Sequence, residues 1–151
     1  MRRKEKEIVE RSEIEGVIAA AKVCRLAMAD NGHPYIVPLC FGYADDVLYF
    51  HSAKEGKKLD ILKKNNRVCF EFDIDAEIKI GKTACEWGMK FRSVIGIGRA
   101  YFIDDSETKR SALDKIMAQY SSDAFEYPDK AVDKTIVIRV EIESMTGKRA
   151  G

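Results

Sequence analysis

Arg92-Ser93-Val94-Ile95-Gly96-Ile97-Gly98-Arg99-Ala100-Tyr101-Phe102-Ile103 is the most telling stretch of the chain for its architecture. Its β-branched and aromatic residues predict one long strand, along which Gly96, Gly98 and Ala100 share a face at the period of two that a strand imposes. Small residues in such a row mark a strand that coils strongly or lets another backbone come close. Outward from it, residues 23–28, 35–43, 47–51 and 67–73 also read as strands, and residues 78–80 as the start of another. Asp30-Asn31-Gly32-His33-Pro34 and Asp45-Asp46 supply hairpin turns. A closing strand over 136–143 alternates Ile136, Ile138, Val140 and Ile142 inward.

Helical signals are short. Leu59 and Leu62 stand at helical spacing in residues 55–65, which stop at Asn65-Asn66. Asp104-Asp105-Ser106 caps a helix whose apolar stripe is Ala112, Leu113, Ile116, Met117 and Tyr120. Ser12-x-x-Glu15 reads as a capping box opening a helix over 16–22, which leaves residues 1–11 charged and frayed. About six strands with mostly hairpin connections predict a mainly β (α+β) antiparallel barrel with short flanking helices, in one domain over residues 1–151.

A formal charge of +1 offers no bulk attraction to nucleic acid or to an anionic membrane, so neither is expected as a partner. No apolar run approaches the ~20 residues of a spanning helix, and the charged N-terminus does not suit a secretory signal. The expected location is cytoplasmic. Cys24, Cys40, Cys69 and Cys85 sit singly among apolar residues without metal-site spacing, which predicts free, buried thiols and no metal.

The stretch most suggestive of chemistry is Tyr49-Phe50-His51-Ser52-Ala53-Lys54-Glu55-Gly56-Lys57-Lys58, where a strand ends just before a helix begins. Helix N-termini present unpaired N–H groups and partial positive charge, so a phosphate fits there, with Lys57 and Lys58 adding charge. The plain alternative is a solvated basic turn. A second anion half-site is Arg92-Ser93 at the start of its strand. Gly81-Lys82-Thr83 mimics the end of a P-loop, but Ala76 occupies the place of that motif's first glycine. Gly96-x-Gly98 has Tyr101 where a dinucleotide fingerprint needs its third glycine. His51 is either a proton donor or acceptor for a ring substrate or a hydrogen-bonded strand residue.

Taken together, Arg25-Leu26-Ala27-Met28-Ala29, the run 34–43, the run 48–59, Asn66-Arg67-Val68-Cys69-Phe70-Glu71-Phe72-Asp73 and the run 92–100 resemble the pyridoxamine 5′-phosphate oxidase-related FMN-binding split barrels, especially the nitroimidazole-resistance branch. The motifs occur in that family's order and cover most of residues 20–121. The resemblance implies a six-stranded split barrel and a homodimer with FMN in clefts between the subunits. It implies that the backbone of Val37-Pro38-Leu39 lies along the flavin ring, and that His51-Ser52-Ala53 with Lys57 and Lys58 reach the ribityl chain and phosphate. Arg92 and Ser93 would complete the phosphate clamp, Trp87 would approach the flavin or the partner subunit, and His51 would take part in catalysis.

The expected activity is that of an FMN-dependent oxidoreductase moving electrons from a reduced nicotinamide, NADH or NADPH, to a small organic acceptor. The alternative is an FMN-binding protein without turnover, acting as a carrier, sensor or electron-transfer partner. A true pyridoxamine 5′-phosphate oxidase fits less well, since only Lys148 and Arg149 offer substrate-phosphate cations near the C-terminus. Haem or a deazaflavin is a further option that the paired phosphate half-sites disfavour.

Overall fold

The computed structural model describes residues 3–151. A 3-10 turn (Lys4–Lys6) leads into β1 (Glu7–Ile8), α1 (Arg11–Ala20), β2 (Cys24–Asp30), β3 (His33–Leu39), β4 (Gly42–Ala44), β5 (Val47–Ala53) and α2 (Lys57–Lys64). There follow β6 (Arg67–Lys79), a 3-10 turn (Ala84–Glu86), β7 (Gly88–Ile103), α3 (Ser106–Ala118), α4 (Asp129–Lys134) and β8 (Thr135–Ala150). One antiparallel sheet runs β3-β2-β6-β7-β8-β5-β4, with β1 joined to β8. It forms a barrel that stays open between β3 and β4, the split of a split β-barrel.

Close approach explains the small residues of β7. A Cβ on Gly96 would meet the Phe70 ring at 2.1 Å, and one on Gly98 would meet the Glu141 carbonyl oxygen at 2.3 Å, beside a bulge in the β7–β8 ladder. Phe70, Phe72 and Phe41 fill the interior, with the Phe41 and Phe72 ring centroids 4.7 Å apart. Ile14, Val17 and Ile18 of α1 join that core. The buried residues Ala112, Ile116, Val132 and Val137 stand apart from it, where α3 lies against β4 and β5.

Several elements differ from the sequence reading. The expected strand over 35–43 is broken at Cys40-Phe41 into β3 and β4, which lie at opposite ends of the sheet and so create the split. With β1, this raises the strand number from six to eight. Residues 78–80 do not begin a strand; Ile78 and Lys79 end β6, which bends at Asp75 (φ 57°) and continues as an exposed arm. The N-terminal segment is not frayed over residues 3–11: Glu7 and Ile8 pair with Lys148 and Gly147, and Ile8 is buried. Residues 1–2 lie outside the described residues.

The first helix starts at Arg11, five residues early and without a side-chain cap, because burial of Ile14, Val17 and Ile18 and the Arg11–Glu15 pair outweigh the capping box. The C-terminal tail remains in β8 to Ala150, and α4 had no sequence signal strong enough to predict it. α3 is capped as expected, Asp105 accepting the Thr108 N–H at 2.9 Å.

Candidate functional site

β2 and β3 meet in a two-residue turn whose Asn31 and Gly32 both have positive φ (48° and 81°), the geometry of a tight hairpin. Asp30 and His33 flank that turn and therefore exchange hydrogen bonds. Pair types alternate along an antiparallel ladder, so Tyr35, Val37 and Leu39 also bond to β2, while Pro34, Ile36 and Pro38 turn their backbone groups outward. That parity is the one in which proline, lacking an N–H, costs the ladder nothing. The free edge of β3 consequently presents the carbonyls of residues 34, 36 and 38 and a single donor among those three, the Ile36 N–H.

The same end of the barrel holds the start of α2. Gly56, at φ 137°, precedes the helix and offers no side chain to cap its first amides. Lys57 places its ammonium 4.6 Å from the Tyr35 ring centroid, joining α2 to β3. Lys58 faces the other way, toward β5: its charge, after partial burial, helps to hold the His51 pKa below the usual imidazole value. Burial also lowers the pKa of Lys58 itself. The neighbouring Lys54 and Lys64 pair with Asp104 and Asp30, whereas Lys57 and Lys58 make no ion pair among the described residues. A cleft of about 300 Å³ lies between the turn and α2, lined by His33, Pro34, Tyr35, Lys57 and Ile61 among others.

The structure thus gathers His51, Ser52, Ala53, Lys57 and Lys58 at one rim, with β3 reached through Tyr35. Ser52 is half-buried and His51 and Ala53 are exposed. Along β3 it shifts emphasis by one residue: Val37 and Leu39 spend their backbone groups on β2, Pro38 offers only a carbonyl, and Ile36 carries the free donor. The signal for this was in the sequence, in the spacing Pro34-x-x-x-Pro38 measured from Asn31-Gly32.

Arg92, Ser93 and Trp87 are elsewhere. Tyr35 pairs with Met28, whose level on β6 is Val68, and Val68 pairs with Gly98 of β7. Arg92 lies six residues from Gly98, about 20 Å along the strand. There it binds Asp75 through Nε at 3.0 Å, and Ser93 is buried. Trp87 is further out, in the loop beyond the last β6–β7 pair, Lys79 with Gly88, at the tip of the exposed arm. Within one chain the two phosphate half-sites remain apart. Among the described residues no group of three His, Cys, Asp or Glu side chains is placed to hold a metal, and no helix is long and apolar enough to cross a membrane.

Known proteins share this arrangement. A structure from Bacteroides thetaiotaomicron, described as a candidate 5-nitroimidazole antibiotic resistance protein, superposes with a TM-score of 0.86 at 40% identity, over 95% of this chain and 86% of that one. A flavocytochrome from Azotobacter vinelandii shares the fold with a TM-score of 0.87 at 20% identity, over 100% of this chain and 72% of that one. A curated relative, an uncharacterized protein of Rhizobium meliloti, is 34% identical over 64 residues, which is 42% of this chain and 42% of that protein. The family model described as pyridoxamine 5′-phosphate oxidase matches residues 10–149. Because that match takes in the whole sheet from β2 through nearly all of β8, together with the rim at α2, the chain belongs to the pyridoxamine 5′-phosphate oxidase family.

Proposed function

We propose that this protein binds FMN at the rim formed by β3, β5 and α2, and that as a homodimer it carries electrons from a reduced nicotinamide to a small organic acceptor. The observation that carries this reading is the uncapped start of α2 with two unpaired lysines, set beside an edge strand that offers carbonyls and one N–H. A phosphate fits the first, and the carbonyl and imide groups of a flavin ring fit the second. The residues present suit the cofactor.

FMN, when bound, would supply the redox chemistry. The chain's part is to bind and orient. Lys57, Lys58 and the first amides of α2 hold the phosphate. The Ile36 N–H would donate to a ring carbonyl and one of the carbonyls of residues 34, 36 and 38 would accept the ring's imide N–H, while Pro34 and Pro38 keep another strand from pairing there. His51, neutral at pH 7 by virtue of its lowered pKa, can donate or accept one hydrogen bond to a substrate at the rim.

A second copy is supported by the outer face of the sheet. Ile36, Ile95 and Ile97 are 59%, 49% and 40% exposed, and ion-paired clusters flank them: Arg25 with Glu71 and Asp73 on one side, Arg67 and Arg99 with Glu143 on the other. An apolar stripe with charged rims suits self-association. A dimer would also allow Arg92 and Ser93 of one copy to approach the rim of the other. We place the protein in the cytoplasm, where its four free cysteines stay reduced although, against expectation, only Cys24 is buried and Cys40 and Cys85 are exposed in the loops after β3 and β6.

The reading without turnover is favoured by one fact: among the described residues His51 has no carboxylate partner to tune it as an acid or base. The deciding experiment is an absorbance titration with FMN, run with mass in solution and followed by oxidation of NADH and NADPH with a nitroaromatic acceptor. Saturable yellow dimer with donor oxidation supports the reductase. Saturable yellow dimer with no donor oxidation supports the carrier, and a colourless protein indifferent to FMN overturns both.

A further inference from the structure

A large concavity lies at the opposite end of the molecule from the rim, between the N-terminal 3-10 turn and the β6–β7 arm. It measures about 650 Å³, and its walls include Arg3, Lys6, Lys79, Glu86 and Trp87. None of the three cations makes an ion pair among the described residues. The acidic neighbour is already engaged: Glu86 accepts the backbone N–H groups of Lys82 at 2.7 Å and Thr83 at 3.3 Å. Glu86 thereby closes the capping box of the 3-10 turn, and its one negative charge against three cations leaves the cleft with an excess of positive charge.

Trp87 supplies the other half of the recognition. It is 53% exposed on a cleft wall that it shares with Ile80 and Met89, themselves 75% and 46% exposed, so that an apolar face lies beside the cations. An indole face beside clustered cations suits a planar heteroaromatic ring carrying phosphate, stacked on the ring and paired through its charges. Gly88, which also lines the cleft, lies ten residues along β7 from Gly98 at the rim level, roughly 30 Å away in the same chain. The two sites are separate within a protomer.

We propose that this cleft binds the adenosine-phosphate half of a nucleotide, with the purine on Trp87 and the phosphate held by Arg3, Lys6 and Lys79. The proposal does not depend on the rim holding FMN. Two sources share this chemistry: a phosphorylated nicotinamide donor, best mimicked by adenosine 2′,5′-bisphosphate, and a molecule with a diphosphate, best mimicked by ADP.

The test is calorimetric titration of the purified, FMN-supplemented protein with adenosine 2′,5′-bisphosphate, ADP and inorganic pyrophosphate. Emission of Trp87, the chain's single tryptophan, reports on the site directly. Saturable binding of either adenosine compound with a change in that emission is expected. It should weaken at least tenfold in Lys6→Ala/Lys79→Ala and fall with added salt, while FMN affinity stays unchanged. A preference for the bisphosphate identifies the phosphorylated donor as the source, and a preference for ADP the diphosphate. Pyrophosphate binding as tightly as ADP, binding unaffected by the double substitution, displacement by FMN, or no binding at millimolar concentration would each overturn the proposal. Trp87→Phe, which keeps an aromatic face, should retain calorimetric binding; loss of that binding equal to Trp87→Ala would remove stacking from the account.

Discussion

The Lys57 ammonium sits 4.6 Å from the centroid of the Tyr35 ring, so the first turn of α2 is fastened to the free edge strand across the opening of the barrel. An exposed cation–π contact is worth about 0.5–1 kcal/mol, whereas a charge-assisted bond to phosphate is worth about 1.5–3 kcal/mol. Lys57→Gln and Lys58→Gln should therefore each weaken FMN roughly tenfold to a hundredfold, and Tyr35→Leu by about fivefold or less. Flavin fluorescence titration of the three variants checks the order. Equal losses for Tyr35→Leu and Lys57→Gln would mean that Lys57 acts by positioning α2 and not by touching the ligand.

His51 titrates below the usual imidazole value because partial burial and then the Lys58 charge oppose its protonation. Lys58→Met removes the like charge and should raise the His51 pKa. The sequence has only two histidines, so the imidazole proton resonances report it with little ambiguity. The stability consequence has a definite sign. The unfolded chain binds the proton near pH 6.5 and the folded chain only at lower pH, so stability falls as pH drops through that value and levels off below the folded pKa. Urea unfolding at pH 7.5 and 5.5 should show a smaller difference in Lys58→Met than in the parent, provided both variants unfold in two states.

Much of this was legible in the sequence. Alternating Ile138 and Val140 fixed a strand and its inward face, and both side chains are fully buried. Gly96 and Gly98 announced close approach, and Phe70 and Glu141 supply it. The rim residues of β5 and α2 were legible because a strand end, a glycine and two lysines before a helix have a local meaning. The remote distances were not. Whether Arg92 reaches Lys57 depends on strand register across β2, β6 and β7, which no local pattern encodes. The break at Cys40-Phe41 was equally hidden, since both residues suit a strand and only closure of the barrel, with Tyr120 accepting the Phe41 N–H, forces the chain to leave the sheet.

Ile95 and Ile97 stand on the outer face of β7, 49% and 40% exposed, with opposite charges gathered at either side. Ile95→Asp/Ile97→Asp places two carboxylates on that stripe without touching the interior. Light scattering should show a monomer at micromolar concentration where the parent is a dimer, with an unchanged far-ultraviolet spectrum. A parent that is itself monomeric would remove this face from any interface.

Gly96 has no room for a methyl group, because the ring of Phe70 would lie 2.1 Å from it and Phe70 is fully buried. Gly96→Ala should cost about 1–3 kcal/mol by overpacking. Thermal unfolding measures it, and Gly96→Ala/Phe70→Leu should recover part of the loss.

Lys109 is buried to 2% exposure where α3, α4 and β8 meet. Its ammonium donates to the Val132 carbonyl at 2.6 Å and the Thr135 carbonyl at 2.9 Å, and lies 3.4 Å from the Asp104 carboxylate. Those two carbonyls belong to the end of α4, where Val132 also accepts the Thr135 N–H, and to the start of β8, so one side chain ties the helix end to the point where the closing strand begins. Lys109→Met keeps the apolar stem and removes the donor, leaving both carbonyls without it, and should destabilise the fold by about 3 kcal/mol. Lys109→Arg keeps the charge but is larger and planar, and should recover less than half of that loss. Because β5 pairs with the first residues of β8, His51 opposite Val137, the same substitution should loosen the rim. Hydrogen exchange would then rise in residues 135–138 and 51–53 before it rises in β6. Exchange that rises uniformly would assign Lys109 to global stability alone.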